Sequence, residues 1–559
     1  MSSPSEISDH ITIALAQLNP VMGDIAGNAE KARSARAVAA AVGADLVVFS
    51  ELYLSGYPPE DLVLKSAFLQ EVREVVEKLA ADTGDGGPAL LIGLPWMEDN
   101  KPHNTVVLLD GGHITAIRHK VHLPNYGVFD ELRVFTPGQM PGPINFRGLR
   151  LGVPICEDIW FEDVTECLVE TGAEILVVPN GSPFDKDKHD TRITHAVARV
   201  VETGLPLIYV NQVGGQDELV FDGASFVLGS DRTVPVQLPA FVEQIAVTKW
   251  TRSDDGWSCA PLPIDAEVNG AQANYCACVL GLRDYVIKNS FPGVLVGLSG
   301  GIDSALTLAM SVDALGADQV RCVMLPSQYT SRDSLEDAAE CATALGVRLD
   351  EISISGIVSS YTSALDDLFG DIEPDATEEN IQARSRGVIL MAMSNKFGQL
   401  LVTTGNKSEM SVGYATLYGD MAGGFNPLKD LYKTEVYELS KLRNQLLPKG
   451  CLGPSGHIIP ERIITKAPTA ELREDQTDQD SLPPYDQLDD ILHGLVEEEA
   501  SLSDIIARGH KLEIVARIEH LLYIAEYKRR QAAPGVKISL RNFGRDRRYP
   551  ITNRFRDKG

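Results

Sequence analysis

The sequence is short of the features that mark several protein classes. No window reaches the ~18 uninterrupted apolar residues of a membrane-spanning helix, and residues 1–9 lack the basic and apolar segments of a signal peptide, so no membrane contact and a cytoplasmic location are expected. Cations are scarce: 50 Lys and Arg stand against 78 Asp and Glu, a formal net charge of −28. That balance disfavours a protein that tracks a nucleic-acid backbone, because the phosphates would be repelled. It leaves room for a small anionic ligand met by local donors. The eight cysteines, at 156, 167, 259, 276, 278, 322, 341 and 451, have no paired C-x-x-C spacing to build a zinc site. Reduced thiols are expected, most of them buried as small apolar residues. No internal repeat is found.

What is present is length and layered patterning. The 559 residues, at roughly 100–200 per domain, suit two large domains or three modest ones. From residue 11 to about 250, β-rich runs such as ITIALAQL, ADLVVFS, ALLIGLP, HNTVVLLD, LRLGVPIC, AEILVVPN and LPLIYVNQV alternate with helical stretches at 28–42 and 65–81. This is an α/β layered pattern. Residues 251–270, TRSDDGWSCAPLPIDAEVNG, read as polar and loop-like, and a domain boundary is placed there. QANYCACVLGLRDYVIKN then spaces apolar residues for a helix, and strand-helix units resume with GVLVGL, QVRCVMLP and QLLVTTGN, as in a parallel sheet. Residues 446–485, rich in Pro, Gly and acids, read as a loop that orders on binding rather than as core.

The most informative stretch is VLVGLSGGIDSALTLAM, residues 294–310. A strand that delivers the chain into S-G-G and at once into a helix points backbone N–H groups and the positive helix end at one spot, a cradle for an anion. A Walker loop would need a lysine after its glycines; here an acid, Asp303, follows. Beside phosphates that carboxylate makes sense if a divalent cation bridges them. The plainer alternative is a glycine turn with Asp303 as helix cap. The string S-G-G-x-D-S after a strand resembles the pyrophosphate loop of the ATP pyrophosphatases, which split ATP between its α and β phosphates and adenylate a substrate oxygen. By that resemblance Gly297, Leu298, Ser299, Gly300, Gly301, Ile302, Asp303 and Ser304 would hold ATP.

Residues 377–439, with N-I-Q-A-R, T-G-N-K-S-E and G-Y-x-T-x-Y-G-D, resemble the NAD synthetases. The resemblance implies that Thr404 meets ATP, that Lys433 and Arg384 meet phosphates, that Asn380, Arg384 and Glu409 lie on the deamido-NAD side, and that Asp303 and Glu409 hold Mg2+. Read as residues alone, Arg384 and Lys433 could be solvated helix charges and Asn380 a helix cap. Near the C-terminus EYKRRQAAPGVKISLRNFGRDRRYPITNRF concentrates cations in an acidic chain, which fits a docking patch for a dinucleotide's phosphates or a solvated basic tail; Lys528 is the contact singled out there.

In the first block three strings, FSELYLSGYPPEDL with Glu51, HKVHLPNYGVFDE with Lys120 and GVPICEDIW with Cys156, resemble the nitrilase superfamily, whose Glu-Lys-Cys triad hydrolyses amides. A thiolate nucleophile needs a base and a cationic neighbour. Glu51 would be the base, and Lys120 would stabilise the oxyanion. Tyr126, Glu157, Ser182 and Lys188 fall where glutamine-dependent relatives contact glutamine. The chain reads Arg-Val-Phe at 133–135 and Asn-Gly-Ser at 180–182, where the resemblance leads one to expect Arg-Tyr-Phe and a residue bulkier than Gly181.

The whole resembles the bacterial glutamine-dependent NAD synthetases. The implied organisation is a nitrilase-like α-β-β-α sandwich over 10–255 that hydrolyses glutamine, a linker at 256–270, and over 271–559 a doubly wound, Rossmann-like parallel-sheet synthetase domain of the adenine nucleotide alpha hydrolase type. Implied ligands are glutamine, ATP, deamido-NAD and Mg2+, in a homo-oligomer formed through the second domain. Two other readings stay open: an amidotransferase that adenylates a different acid, and an amidase whose C-terminal half only binds nucleotide.

Overall fold

Side chains alternate across a strand, so each β-branched run sorts its own residues between two layers. The computed structural model describes residues 9–557 except Asp187, Asp371 and Asp475. It divides into two units, one of residues through 216 with 220–268, the other of 217–219 with 269 onward.

The chain through residue 268 carries strands β1 (His10–Gln17), β2 (Leu46–Val48), β3 (Ala89–Glu98), β4 (Lys101–Asp110), β5 (His113–His119), β6 (Ile144–Phe146), β7 (Leu149–Gly152), β8 (Ile175–Asn180), β9 (Leu207–Asn211), β10 (Val213–Gln216), β11 (Leu219–Asp222), β12 (Phe226–Leu228), β13 (Val236–Gln237), β14 (Gln244–Ser253) and β15 (Gly256–Cys259). Its helices are α1 (Ile25–Ala41), α2 (Ser66–Asp82), α3 (Asp163–Glu170) and α4 (Lys188–Thr203). One sheet runs β15-β14-β1-β2-β3-β4-β5 and a second runs β13-β12-β9-β8-β7-β6. β2 shows the sorting. Leu46 and Val48 enter the apolar layer between the sheets with Leu151, Val177 and Ile208, whereas Val47 packs outward with Ala32, Ala35 and Leu79 of α1 and α2. Val164, Ala196 and Val200 of α3 and α4 cover the other sheet. The result is an α-β-β-α sandwich.

The stretch read as loop-like from 251 begins instead as a hairpin: β14 and β15 pair antiparallel from Trp250↔Cys259 to Ser253↔Gly256. Its polar residues hid the strands because only one face is covered; Trp250 and Trp257 are buried in the layer between the sheets.

The second unit begins with α5 (Gly270–Lys288) and continues β16 (Val294–Gly297), α6 (Ile302–Leu315), β17 (Val320–Met324), α7 (Arg332–Leu345), β18 (Arg348–Glu351), α8 (Ser355–Phe369), α9 (Ala376–Phe397), β19 (Leu400–Val402), α10 (Lys407–Val412) and α11 (Lys433–Gln445). The helices α12 (Glu461–Thr465), α13 (Tyr485–Val496), α14 (Leu502–Ala507), α15 (Leu512–Ile524) and α16 (Glu526–Arg529) follow. The four strands are parallel in the order β18-β17-β16-β19. The chain runs outward from β16 through β17 to β18 and then crosses to β19 on the other side of β16, so the strand ends around β16 are the topological switch point where such sheets bind ligands. Part of 446–485 is core, contrary to the loop reading. Ile458, Ile459 and Ile463 are buried, and the Asn444 side chain donates to Ile459 O (2.7 Å) and accepts from the N–H groups of Ile458 and Ile459 (2.9 and 3.0 Å). Among the described residues no helix is long and apolar enough to cross a membrane.

Candidate active sites

In the first unit the three strings of the Glu-Lys-Cys pattern end strands β2, β5 and β7, and the sandwich brings their ends together. Lys120 and Glu51 are wholly buried and Cys156 nearly so. Lys120 Nζ donates to Glu51 Oε1 at 2.7 Å and to both oxygens of Glu131 at 3.0 Å. Glu51 is held further by Asn104 Nδ2 on Oε1 (2.7 Å) and the Gly181 N–H on Oε2 (2.9 Å). Tyr57 donates to Glu131 at 2.9 Å.

Cys156 opens a short 3-10 turn, Cys156–Trp160, in the left-handed region (φ 46°). Asp158 fixes that turn. One of its oxygens accepts from the Ile155 N–H (2.9 Å), the other from the N–H groups of Val121 and His122 (3.0 and 2.8 Å), which ties the nucleophile turn to the segment after Lys120. Burial, then the Glu51 charge, pushes the Cys156 thiol well above its ordinary value. Burial pulls Lys120 the other way, but the charges of Glu131 and Glu51 outweigh it and hold the ammonium protonated. A neutral thiol thus sits beside a permanent cation and an acceptor-rich carboxylate, the arrangement of a base-assisted sulfur nucleophile.

The residues read as glutamine contacts gather here too. Tyr126 Oη donates to Glu157 (2.9 Å), which directly follows Cys156 in the chain. Lys188 Nζ lies 4.8 Å from the Trp160 ring centroid. Ser182 is positioned by Asn211 Oδ1 on its N–H and by Arg192 Nε on its Oγ (3.0 Å each). Arg192 in turn grips Asp222 with 2.8 Å contacts and is buried. Where a bulkier residue than Gly181 was expected, there is no room: an added Cβ would lie 3.0 Å from the Tyr57 ring and 3.1 Å from Glu51 Oε2. Sequence reading passed over Asn104, Glu131, Arg192 and Tyr57. Glu131 ends the very string quoted for Lys120; Asn104 stands among the polar residues that open β4, so nothing set it apart.

In the second unit the glycine loop joins β16 to α6 at the switch point. Gly300 (φ 83°) could carry no side chain, since a Cβ there would stand 2.3 Å from Ser334 O. Ser304 Oγ accepts from the Ser299 N–H (3.2 Å) and donates to Gly301 O (3.0 Å), so the loop is shaped by its own residues. Gly301 is the N-cap, which removes Asp303 from the capping role left open above. Asp303 instead accepts from Lys433 Nζ on Oδ2 (2.5 Å) and from Asn406 Nδ2 on Oδ1 (2.8 Å). Asn406 also caps α10, accepting from the Glu409 N–H at 3.0 Å, so one buried amide sets both acids. Lys433 reaches Glu409 at 3.2 Å. Burial first, then Asp303, raises the Glu409 carboxyl despite the opposing Lys433 charge. Two carboxylates facing one another across an ammonium form a hard-oxygen donor set that fits a divalent cation such as Mg2+.

A cavity of about 320 Å³ is lined by Gly297 through Ser304, Thr404, Glu409 and Lys433. Arg386, Asp420, Lys466 and Glu471, which sequence reading did not single out, line it as well. Asn380, Arg384 and Lys528 lie outside that lining. All three grip the segment 413–417: Asn380 Oδ1 accepts from Thr416 Oγ1 (2.8 Å), Arg384 Nε donates to Leu417 O (3.2 Å), and Lys528 Nζ donates to the carbonyls of Gly413 and Ala415 (2.8 and 2.7 Å). Tyr414, Ala415 and Thr416 of that segment do face the cavity.

Comparison with known proteins covers both units. The family profile described as carbon-nitrogen hydrolase matches residues 12–254, and that described as NAD synthase matches 274–532. The glutamine-dependent NAD(+) synthetase of Rhodobacter capsulatus is 52% identical over 99% of this chain and 100% of that protein, and that of Thermotoga maritima is 42% identical over 98% and 99%. The solved structure of the Acinetobacter baumannii glutamine-dependent NAD+ synthetase in complex with ADP superposes with a TM-score of 0.78 at 41% identity, covering 97% of this chain and 99% of that one. Full-length identity of this size, together with family profiles that match both units, shows that the chain belongs to the glutamine-dependent NAD(+) synthetase family.

Proposed function

We propose that this chain makes NAD from deamido-NAD in the cytoplasm, with glutamine as nitrogen source and ATP as activator. The observation that carries the reading is the presence in one chain of a buried Glu51–Lys120–Cys156 cluster and a glycine loop with one acid, Asp303, where a Walker loop has lysine. The glutamine amidohydrolase domain expected over 10–255 is read as extending through β15 to Cys259, and the synthetase domain expected from 271 as beginning with α5 at Gly270, with 260–269 joining them.

Glutamine sits against Tyr126, Glu157, Ser182 and Lys188. Glu51 takes the thiol proton as Cys156 Sγ attacks the side-chain amide carbon. With one Lys120 N–H on Glu51 and one shared by the two Glu131 oxygens, the third is left for the oxyanion. The proton passes to the leaving ammonia, and water then releases glutamate from the thioester. In the second unit residues 297–304, Thr404 and Lys433 hold ATP, while Asn380, Arg384, Glu409 and Lys528 hold deamido-NAD. The nicotinate carboxylate attacks the α-phosphorus, pyrophosphate leaves, and ammonia displaces AMP from the acyl adenylate. Asp303 and Glu409 would hold Mg2+, which when bound offsets the phosphate charge. Lys433, now bridging these two acids, supplies a second cation for the same phosphates.

A second copy of the chain fits the face of α8 and α9. No residue of α8 is buried, and Leu368, Ile372 and Val388 are 75%, 73% and 62% exposed. Sedimentation of a Leu368→Glu variant checks this, since an unchanged assembly would exclude that face. The reaction itself is tested by incubating the chain with glutamine, ATP, Mg2+ and deamido-NAD. NAD, glutamate, AMP and pyrophosphate are expected; ADP and orthophosphate would overturn the reading.

A further inference from the structure

A cluster on the first unit lies outside the chemistry described above. Glu98 ends β3, His103 lies near the start of β4, and His119 ends β5. One ligand atom from each of the three falls within 4.8 Å of the others. The two imidazole rings stack with centroids 4.3 Å apart and planes 23° from parallel.

Hydrogen bonding settles which nitrogen each ring offers. His103 Nδ1 lies 2.8 Å from Thr136 O, and a carbonyl only accepts, so Nδ1 carries the hydrogen and the lone pair is on Nε2. That Nε2 has no hydrogen-bond partner among the described residues, although His103 is only 8% exposed. Thr105 Oγ1 lies 2.7 Å from His119 Nδ1 and 3.3 Å from His103 O, so the hydroxyl holds the second ring through its Nδ1. His119 Nε2 then meets Glu98 Oε2 at 2.6 Å. Each histidine is therefore held from behind through Nδ1, as metal-ligating histidines commonly are, with Nε2 presented forward.

We propose that Glu98, His103 and His119 bind one divalent transition-metal ion of the zinc class through one carboxylate oxygen and two Nε2 atoms. Two imidazoles and a carboxylate select zinc, cobalt or nickel over magnesium. Three protein ligands leave a fourth position for water. Bonds of about 2.0–2.2 Å hold tetrahedral ligand atoms roughly 3.5 Å apart, so the 2.6 Å His119–Glu98 contact opens and the wider separations, up to 4.8 Å, close by roughly 1 Å; exposed Glu98 has room to move. The ion would replace the proton shared by His119 and Glu98. It would also clamp β3, β4 and β5 at the residues preceding Asn104 and Lys120, which strand alternation turns to the opposite face.

The test uses full-length chain carrying Cys156→Ala, to remove the catalytic thiol as a ligand, freed of metal by chelation and kept without ATP or Mg2+. Cobalt titration should show one ion per chain with visible d–d bands and no thiolate charge-transfer band. Zinc should displace it and excess Mg2+ should not. Glu98→Ala alters an exposed side chain and leaves the fold intact; it should weaken binding by about 10-fold, and His103→Gln by more. Equal affinity in the parent and in Glu98→Ala, a thiolate band, or no saturable binding would overturn the proposal.

Discussion

Replacing Lys120 with methionine removes the cation shared by two buried carboxylates while keeping much of its volume. Because Glu51 and Glu131 touch Nζ at 2.7 and 3.0 Å, they lie no more than about 6 Å apart, and at an effective dielectric of about 20 they would repel by about 3 kcal/mol. That equals roughly two pH units in the titration of one carboxyl. Removing one partner of a buried pair costs about 3–5 kcal/mol, much of it from the charge left behind. Burial already raises the Glu131 carboxyl against the pull of Lys120. A carboxyl whose folded pKa stands above its unfolded value stabilises the fold fully below the unfolded pKa, and that contribution is lost as pH rises through the folded pKa. The variant moves the upper limit higher, so its deficit relative to the parent grows with pH. The four tryptophans, Trp96, Trp160, Trp250 and Trp257, all precede residue 269, so urea unfolding followed by tryptophan fluorescence reports the first unit alone. A loss of about 3 kcal/mol at pH 8 and less than half of that at pH 5 is expected. Glutamine hydrolysis should vanish while ammonia-supported NAD synthesis persists. A deficit equal at both pH values, or below about 1 kcal/mol at pH 8, would refute the reasoning.

Cys156→Ala should abolish synthesis from glutamine and leave synthesis from ammonium salts measurable; loss of both in a folded variant would contradict the division of labour. Asp303→Asn should cut ammonia-dependent turnover at least ~10-fold, about 1.4 kcal/mol, with partial recovery at higher Mg2+ and little change in glutamine hydrolysis. Turnover at the parental level would remove the metal role. Gly181→Ala places a methyl 3.0 Å from the Tyr57 ring and 3.1 Å from Glu51 Oε2, so glutaminase kcat should fall with ammonia-dependent synthesis unchanged; an unaltered glutaminase rate would show that Glu51 tolerates the shift. Asn406→Ala frees Asp303 and uncaps α10, so half-saturation by Mg2+ should rise more than ATP KM, whereas an equal rise would point to general loosening of the cavity.

The sequence by itself determined the elements and their chemistry. Alternating Val and Ile runs read as strands, an S-G-G turn between a strand and a helix reads as an anion cradle, and Glu51, Lys120 and Cys156 each follow a β-rich run, in that order along the chain. Tertiary structure alone decided what each charge does. Asp303 could be a cap or a metal ligand in sequence; folding gave the cap to Gly301 and set Asp303 against Lys433 and Asn406, more than a hundred positions away. Glu131 was visible as a letter but not as the second carboxylate on Lys120, and the hairpin at 244–259 was hidden by polar residues on its open face. Asn380, Arg384 and Lys528 matched a pattern, yet only the fold shows all three fastened to segment 413–417 beside the cavity. Local propensity and periodicity act over a few residues and are written in order along the chain. Charge partners, burial and the space around a glycine depend on which distant strands meet, and that is settled only when the sheets pack.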